Sequence, residues 1–262
     1  MRITTLGCDA SISGTRRTTC YQVDADILID CGTGAAELTL EQAVALDFIF
    51  LTHAHLDHCA FLPLLVDAAA SFRTMPLTVY ALPETIAALR QHMFNGVLWP
   101  DYTAYPSPEQ PCLRFVPIRS GETATLGGRR ITALPARHSI PCAGYQVDNG
   151  VMSWVYSADT SFCQDFWRAL NRINNLRYLL VECTFRNANA VAAQHAGHHT
   201  AQLLAQGLRL LERQVELFIV HMEAGYEETT MREVEAAAAS LWPRALQRGH
   251  VFDLTATGSP TA

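Results

Sequence analysis

The chain contains no lysine: all 19 of its basic residues are arginine, set against 25 acidic ones, for a formal net charge of −6. An acidic balance without a basic run argues against a protein that grips nucleic acid along its phosphate backbone, for which clustered cations are the footprint. The nearest candidates, Arg16-Arg17 and Arg129-Arg130, are isolated pairs that read as solvated turns. Also missing is any run of about 20 apolar residues, the length a membrane helix needs. The opening Met1-Arg2-Ile3-Thr4-Thr5-Leu6-Gly7 reads directly into a strand and lacks the apolar centre of a signal peptide. The expectation is a cytoplasmic protein with no membrane partner. None of the eight cysteines forms a C-x-x-C pair; they are scattered singly, and read as small buried hydrophobes, not as a disulfide framework.

What is present is the composition of a globular enzyme, 49% hydrophobic and 17% charged, long enough to bury a sizeable core. Residues 21–24 and 27–30 read as paired strands closed by the turn Cys31-Gly32-Thr33-Gly34. Residues 48–52 form a short apolar run bounded by polar residues, the mark of a buried strand. A helix is predicted over 62–70, a strand over 77–80 and a helix over 84–94. The segment from 95 to 111, rich in proline, tyrosine and tryptophan, reads as an ordered loop or lid. Strands over 130–135, 144–147 and 152–156 precede a helix over 162–170. Then a strand over 178–182, a helix over 201–212 and a strand over 217–221 make a β-α-β crossover, before a last helix over 227–241 and a short strand near Val251. One domain is expected over 1–254, with a lid or insertion near 94–111 and a disordered tail over 255–262.

Directly after the buried strand, Thr52-His53-Ala54-His55-Leu56-Asp57-His58 places three imidazoles and a carboxylate within six residues. On an extended backbone His53 and His55 share a face, and a turn then lets Asp57 and His58 reach a second point nearby. Imidazole and carboxylate suit zinc, iron or manganese. Two such ions roughly 3.5–4 Å apart activate water at neutral pH and neutralise a phosphoryl oxygen.

An H-x-H-x-D-H motif at a strand end resembles the metallo-β-lactamase superfamily, and the rest of that family's pattern follows along the chain. His138 in Pro135-Ala136-Arg137-His138, Asp159 in Tyr156-Ser157-Ala158-Asp159 and His221 after Phe218-Ile219-Val220 stand at matching places. The resemblance implies an α/β fold, the four-layer αββα sandwich. It also implies two divalent metal ions, taken as Zn2+ with Mn2+ or Fe as alternatives. By analogy His53, His55 and His138 hold one ion, Asp57, His58 and His221 the other, and Asp159 is shared. Gly197-His198-His199-Thr200 resembles the G-H-x-T element of the phosphodiesterase branch, which includes tRNA 3′-processing endonucleases and class II cyclic-nucleotide phosphodiesterases. Within that analogy His198 gives a proton to the leaving oxygen or steadies the phosphate, Asp57 and Asp159 orient the attacking water, and His199 is structural.

Phe94-Asn95-Gly96-Val97-Leu98-Trp99-Pro100 resembles the F-N-x-x-x-W-P segment of the class II phosphodiesterases, and Val181-Glu182-Cys183-Thr184-Phe185 their E-C-S/T-aromatic stretch. Phe94, Asn95, Trp99 and Tyr102 are accordingly the expected substrate contacts, with an aromatic face for a purine. The chain departs from the family at Phe61, where glycine is usual, and after His221, where Met222-Glu223 replaces lysine and proline. The reading is a dinuclear phosphodiesterase converting 3′,5′-cyclic nucleotides to 5′-monophosphates, with homodimerisation left open. The rivals are tRNA 3′ processing, disfavoured by the missing basic patch; hydrolysis of a thioester, lactone or β-lactam; and a catalytically silent metal-binding interaction protein.

Overall fold

The computed structural model describes residues 1–255, and its elements fall into two halves. The first contains β1 (Arg2–Gly7), β2 (Cys20–Val23), β3 (Ile27–Ile29), α1 (Leu40–Ala45), β4 (Phe48–Phe50), α2 (Leu56–Cys59), α3 (Leu62–Ala70), β5 (Leu77–Ala81), α4 (Pro83–His92), the small hairpin β6 (Pro106–Ser107) and β7 (Gln110–Pro111), and β8 (Leu113–Pro117). The second contains β9 (Thr123–Leu126), β10 (Arg129–Pro135), β11 (Ala143–Asp148), β12 (Ser153–Tyr156), α5 (Gln164–Asn171), β13 (Leu176–Glu182), α6 (Ala190–Ala196), α7 (Ala201–Leu208), β14 (Glu216–Val220), α8 (Glu227–Ala238), β15 (Arg244–Ala245) and β16 (Val251–Asp253).

Two seven-stranded sheets result, in the orders β16-β1-β2-β3-β4-β5-β8 and β15-β14-β13-β12-β11-β10-β9. Each has an antiparallel part and a parallel part; β3, β4, β5 and β8 run parallel in the first, β12 to β15 in the second. The central parallel strands β3 and β4 are apolar at every position because both of their faces are covered. In β3 and β4, Ile29 and Phe50 point between the sheets, while Leu28 and Ile49 point outward against Leu62, Leu65 and Val66 of α3. In the second sheet Leu180 and Phe218 face inward, and Leu179, Leu217 and Ile219 pack against α5, α7 and α8. Side chains alternating with period two therefore build three apolar layers, and with the helices outside them the sandwich is αββα, as expected.

The inner layer is largely aromatic. Tyr21 meets Trp154 edge-on at 5.3 Å between centroids and Tyr156 at 5.1 Å, all three fully buried. Burying one such ring contributes roughly 1.5–3 kcal/mol, so this layer fixes the spacing of the sheets and hence of the loops at their ends.

Some expectations need correction. Arg129 and Arg130 do not sit on a solvated turn: they open β10, and pair with Asp26 and Asp148. Arg16 and Arg17 follow a turn, but are tied to Asp9 and Glu37. The helix predicted over 201–212 ends at Leu208. Phe61 has φ −89°, an ordinary right-handed value, so no glycine is required there. All eight cysteines are free thiols, six of them buried. Of the tail expected over 255–262, Thr255 donates its N–H to Asp253 Oδ1 at 2.8 Å, and residues 256–262 lie outside the described residues. Among the described residues no helix is long and apolar enough to cross a membrane.

Candidate metal centre

At one end of the sandwich, loops leaving β4, β10, β12 and β14 bring together all seven ligand-type residues of the motif pattern. They fall into two groups: His53, His55, His138 and Asp159, and Asp57, His58, Asp159 and His221. Within each, one donor atom per residue lies within 4.8 Å of the others. His55 Nδ1 is 3.1 Å from both His53 Nε2 and His138 Nε2, and His58 Nε2 is 3.3 Å from His221 Nε2. His221 Nε2 is also 3.0 Å from Asp57 Oδ2. Nitrogens arranged tetrahedrally at about 2.0–2.1 Å around zinc lie about 3.3–3.4 Å from one another, so both donor sets fit an ion of that size. Asp159, 1% exposed, belongs to both groups, and its Oδ1 has no hydrogen-bond partner among the described residues.

The geometry follows from local backbone. His55 is the extended residue before α2, which carries Asp57 and His58 on its single turn. His221 and Asp30 adopt left-handed φ values of 58° and 59°, uncommon outside glycine. Such conformations concentrate at functional sites. Gly197 has φ 75°, and a Cβ there would meet the backbone of His138 and Ser139 at 2.7–3.0 Å. Glycine thus lets the turn before α7 lie against the His138 loop, where the Gly197 carbonyl accepts from His138 Nδ1 at 3.1 Å.

His53, His58 and His221 are oriented in the same way, through the nitrogen that would not bind metal. Thr52 Oγ1 lies 3.0 Å from His53 Nδ1 and donates to the Asp30 carboxylate, which sits 2.7 Å from His58 Nδ1. Thr184 Oγ1 lies 3.0 Å from His221 Nδ1 and bonds Glu182 Oε2 at 2.9 Å. Burial holds His53, His55 and His138 below the ordinary histidine range, in the neutral form a ligand needs. Burial alone would push the Asp159 carboxyl up, but His221, His58 and His53 hold it well below the usual range.

His198 is outside both groups but beside them, its ring 4.8 Å from that of His138 and 5.6 Å from that of His221. Its Nδ1 is 3.0 Å from Glu182 Oε1. Burial opposes its charge, yet Glu182 outweighs it and raises His198 to about 9. His199 points elsewhere: its buried ring has no hydrogen-bond partner among the described residues.

Asp30 and Thr52 were not singled out as functional from the sequence, and Glu182 and Thr184 entered only within the E-C-S/T-aromatic stretch, with no role given to either. The signal for the two acids was an apolar strand that ends in a carboxylate, Ile27-Leu28-Ile29-Asp30 and Leu179-Leu180-Val181-Glu182. The substrate contacts expected in the 94–111 segment require correction. Phe94 and Tyr102 are 2% and 6% exposed and belong with Trp99 to the outer layer against the first sheet, where Tyr102 donates to Asp67. The Phe94 and Tyr102 rings are thus taken up by that layer, while Trp99 is partly exposed. Asn95 is exposed and organises its own turn, accepting from the N–H groups of Val97 and Leu98.

A family profile described as a β-lactamase superfamily domain matches residues 25–222. Ribonuclease BN of Escherichia coli O139:H28 is 34% identical over 125 residues, covering 46% of this chain and 38% of that protein, so the match spans well under half of the relative's length. Among solved structures, the metallo-β-lactamase fold protein YhfI of Bacillus subtilis superposes with a TM-score of 0.77 at 20% identity, covering 96% of this chain and 98% of that one. Unliganded yeast PDE1 superposes with a TM-score of 0.79 at 17% identity, covering 95% and 98%. At such identities the two structures speak for the fold alone.

Proposed function

The chain belongs to the β-lactamase superfamily, and from that premise we propose that it is a dinuclear metal phosphodiesterase that opens 3′,5′-cyclic nucleotides to 5′-monophosphates. The observation that carries this reading is the pair of donor groups sharing one buried carboxylate, Asp159, with a protonated His198 beside them. His53, His55 and His138 would hold one ion, Asp57, His58 and His221 the other, and Zn2+ suits the nitrogen-rich donor set. When bound, the ions supply Lewis acidity toward the phosphoryl oxygens and lower the pKa of coordinated water.

The protein's own residues supply the rest. His221 and His58 hold Asp57 well below the usual carboxylate range against the effect of its burial, so at neutral pH it is ionised and able to orient the attacking water. As the P–O3′ bond breaks, the departing ribose oxygen needs a proton, and His198, charged up to about 9, has one to give. Until that transfer Glu182 stabilises the imidazolium, and it fixes which nitrogen faces the site.

A second reading, cleavage of an RNA 3′ end, draws on the similarity to ribonuclease BN. Against it stands the charge distribution. Arg16, Arg17, Arg73, Arg129, Arg130, Arg177, Arg244 and Arg248 pair with carboxylates, and the arginines that do not are spread along the chain without forming a basic run for a phosphate backbone.

The test is release of 5′-AMP from 3′,5′-cyclic AMP by the zinc- or manganese-loaded protein, with His55→Ala as control. Turnover is expected in the wild type and a loss of at least about 100-fold in the variant. Cyclic AMP and cyclic GMP that survive while an aryl phosphodiester is cleaved would retain the metal chemistry and reject the substrate.

A further inference from the structure

Two clefts flank His138. The larger, about 610 Å³, lies between the loop carrying Arg137 and His138, the Ser161-Phe162 turn, and helices α6 and α7. One of its walls is His138, a residue of the first donor group, so the cleft adjoins the centre at that side chain. No carboxylate lines it, although the chain carries 25 acidic residues. Three exposed amides do: Gln194 from α6, and Gln202 and Gln206 from α7. Gln202 and Gln206 are four residues apart and so share a helix face. Phe162 contributes a half-buried ring, and Ser161 a hydroxyl. Arg137 stands at the rim; its backbone N–H donates to Thr160 Oγ1 at 2.9 Å, and its guanidinium has no carboxylate partner among the described residues.

These side chains suit a nucleobase. A glutamine amide presents a donor and an acceptor side by side, the pattern that reads a base edge. An aromatic ring offers a stacking face to any base. The absence of carboxylates removes repulsion toward a phosphorylated ligand, and an unpaired guanidinium adds attraction. The smaller cleft beside His138, about 590 Å³, shares Arg137 but has no phenylalanine, tyrosine, tryptophan or glutamine, and Glu84 sits in its wall.

We propose that the larger cleft is a nucleobase subsite. The base of a nucleotide whose phosphate sits at the metal centre stacks on Phe162 and is read by Gln194 and Gln202, with Arg137 toward the sugar-phosphate side. This assignment rests on the phosphodiesterase reading, but its test needs no turnover. Calorimetric titration of the metal-loaded protein with 5′-AMP and, separately, ribose 5-phosphate isolates the base. In the wild type 5′-AMP binds roughly tenfold or more tightly than ribose 5-phosphate. Phe162→Ala weakens 5′-AMP roughly tenfold and Gln202→Ala roughly fivefold, each leaving ribose 5-phosphate unchanged. Phe162→Leu, which keeps the apolar contact with the helical layer, shows the same selective loss if Phe162→Ala does not fold.

Equal affinity for the two ligands in the wild type, or equal losses for both in the variants, overturns the subsite. Selective binding of 5′-AMP without turnover of cyclic AMP leaves the subsite standing and rejects the cyclic substrate. A short single-stranded oligoribonucleotide that displaces 5′-AMP and binds more tightly, with the same loss in Phe162→Ala, keeps the subsite and makes its source the terminal base of a strand.

Discussion

With burial opposing it, the positive charge on His198 survives because Glu182 lies 3.0 Å from its Nδ1. The folded value of about 9 stands above the ordinary 6.5. The stability gained from the pair is therefore fully present below about 6.5 and is lost as pH rises through about 9. The same sign applies to catalysis, since a proton donor works only while it holds its proton. Glu182→Gln keeps the hydrogen-bonding shape and removes the charge, so the alkaline limb of kcat is expected to move from about 9 toward 6.5. A limb that stays in place in a pH–rate profile of the variant would assign the donor role to another group. Four of the seven ligand positions were legible because ligand-type residues crowd into 53–58, and His138, Asp159 and His221 were placed by the family resemblance. The roles of Asp30 and Glu182 were not legible, because an acid closing a strand looks the same whether it meets solvent or an imidazole; only its burial tells them apart.

Elements were legible where period and boundaries agreed. The helix at Leu62–Ala70 and the parallel strands β3, β4, β5, β12, β13 and β14 appear within a residue or two of their expected places, since both patterns are dense in apolar residues. The β8 strand was not anticipated, because Leu113–Pro117 alternates weakly and ends in proline. Neither was β9, whose half-exposed Thr123–Leu126 lies at a sheet edge. In the 94–111 segment the aromatics signalled order correctly, but a sequence does not say whether a ring faces a ligand or the core. Helix packing supplies a prediction of its own at Gly207 on α7. Alanine is the better helix former by about 1 kcal/mol, but its Cβ would lie 2.2 Å from the indole of Trp167, which is 1% exposed. Overpacking outweighs propensity here, and Gly207→Ala is expected to destabilise by about 1–3 kcal/mol in a urea titration. A variant as stable as the wild type would mean that α5 and α7 can separate without cost.

Taken whole, the molecule uses its two sheets as rigid arms and gathers buried imidazoles and carboxylates between their ends. His53, His58 and Asp159 are at most 1% exposed. Ions that bind only the folded chain add their binding free energy to its stability, about 2.7 kcal/mol at a hundredfold excess over the dissociation constant. Chelation with EDTA is therefore expected to lower the melting temperature by roughly 5–10 °C, reversed on adding zinc. A melting temperature indifferent to chelator would mean that the loops hold their shape without help.

The pairing of β1 with β16 carries a consequence in time. Arg2 lies opposite Asp253 in the first sheet, while the donor groups draw on residues from His53 to His221. Contacts of such sequence separation close large loops before they return any stability, which slows folding. During synthesis the edge of β1 waits for nearly the whole chain to emerge, and the second donor group cannot close before His221 does. Closure of the second donor group thus waits for β14, and a nascent chain stalled before it would hold His53, His55, His138 and Asp159 but leave Asp57 and His58 without His221.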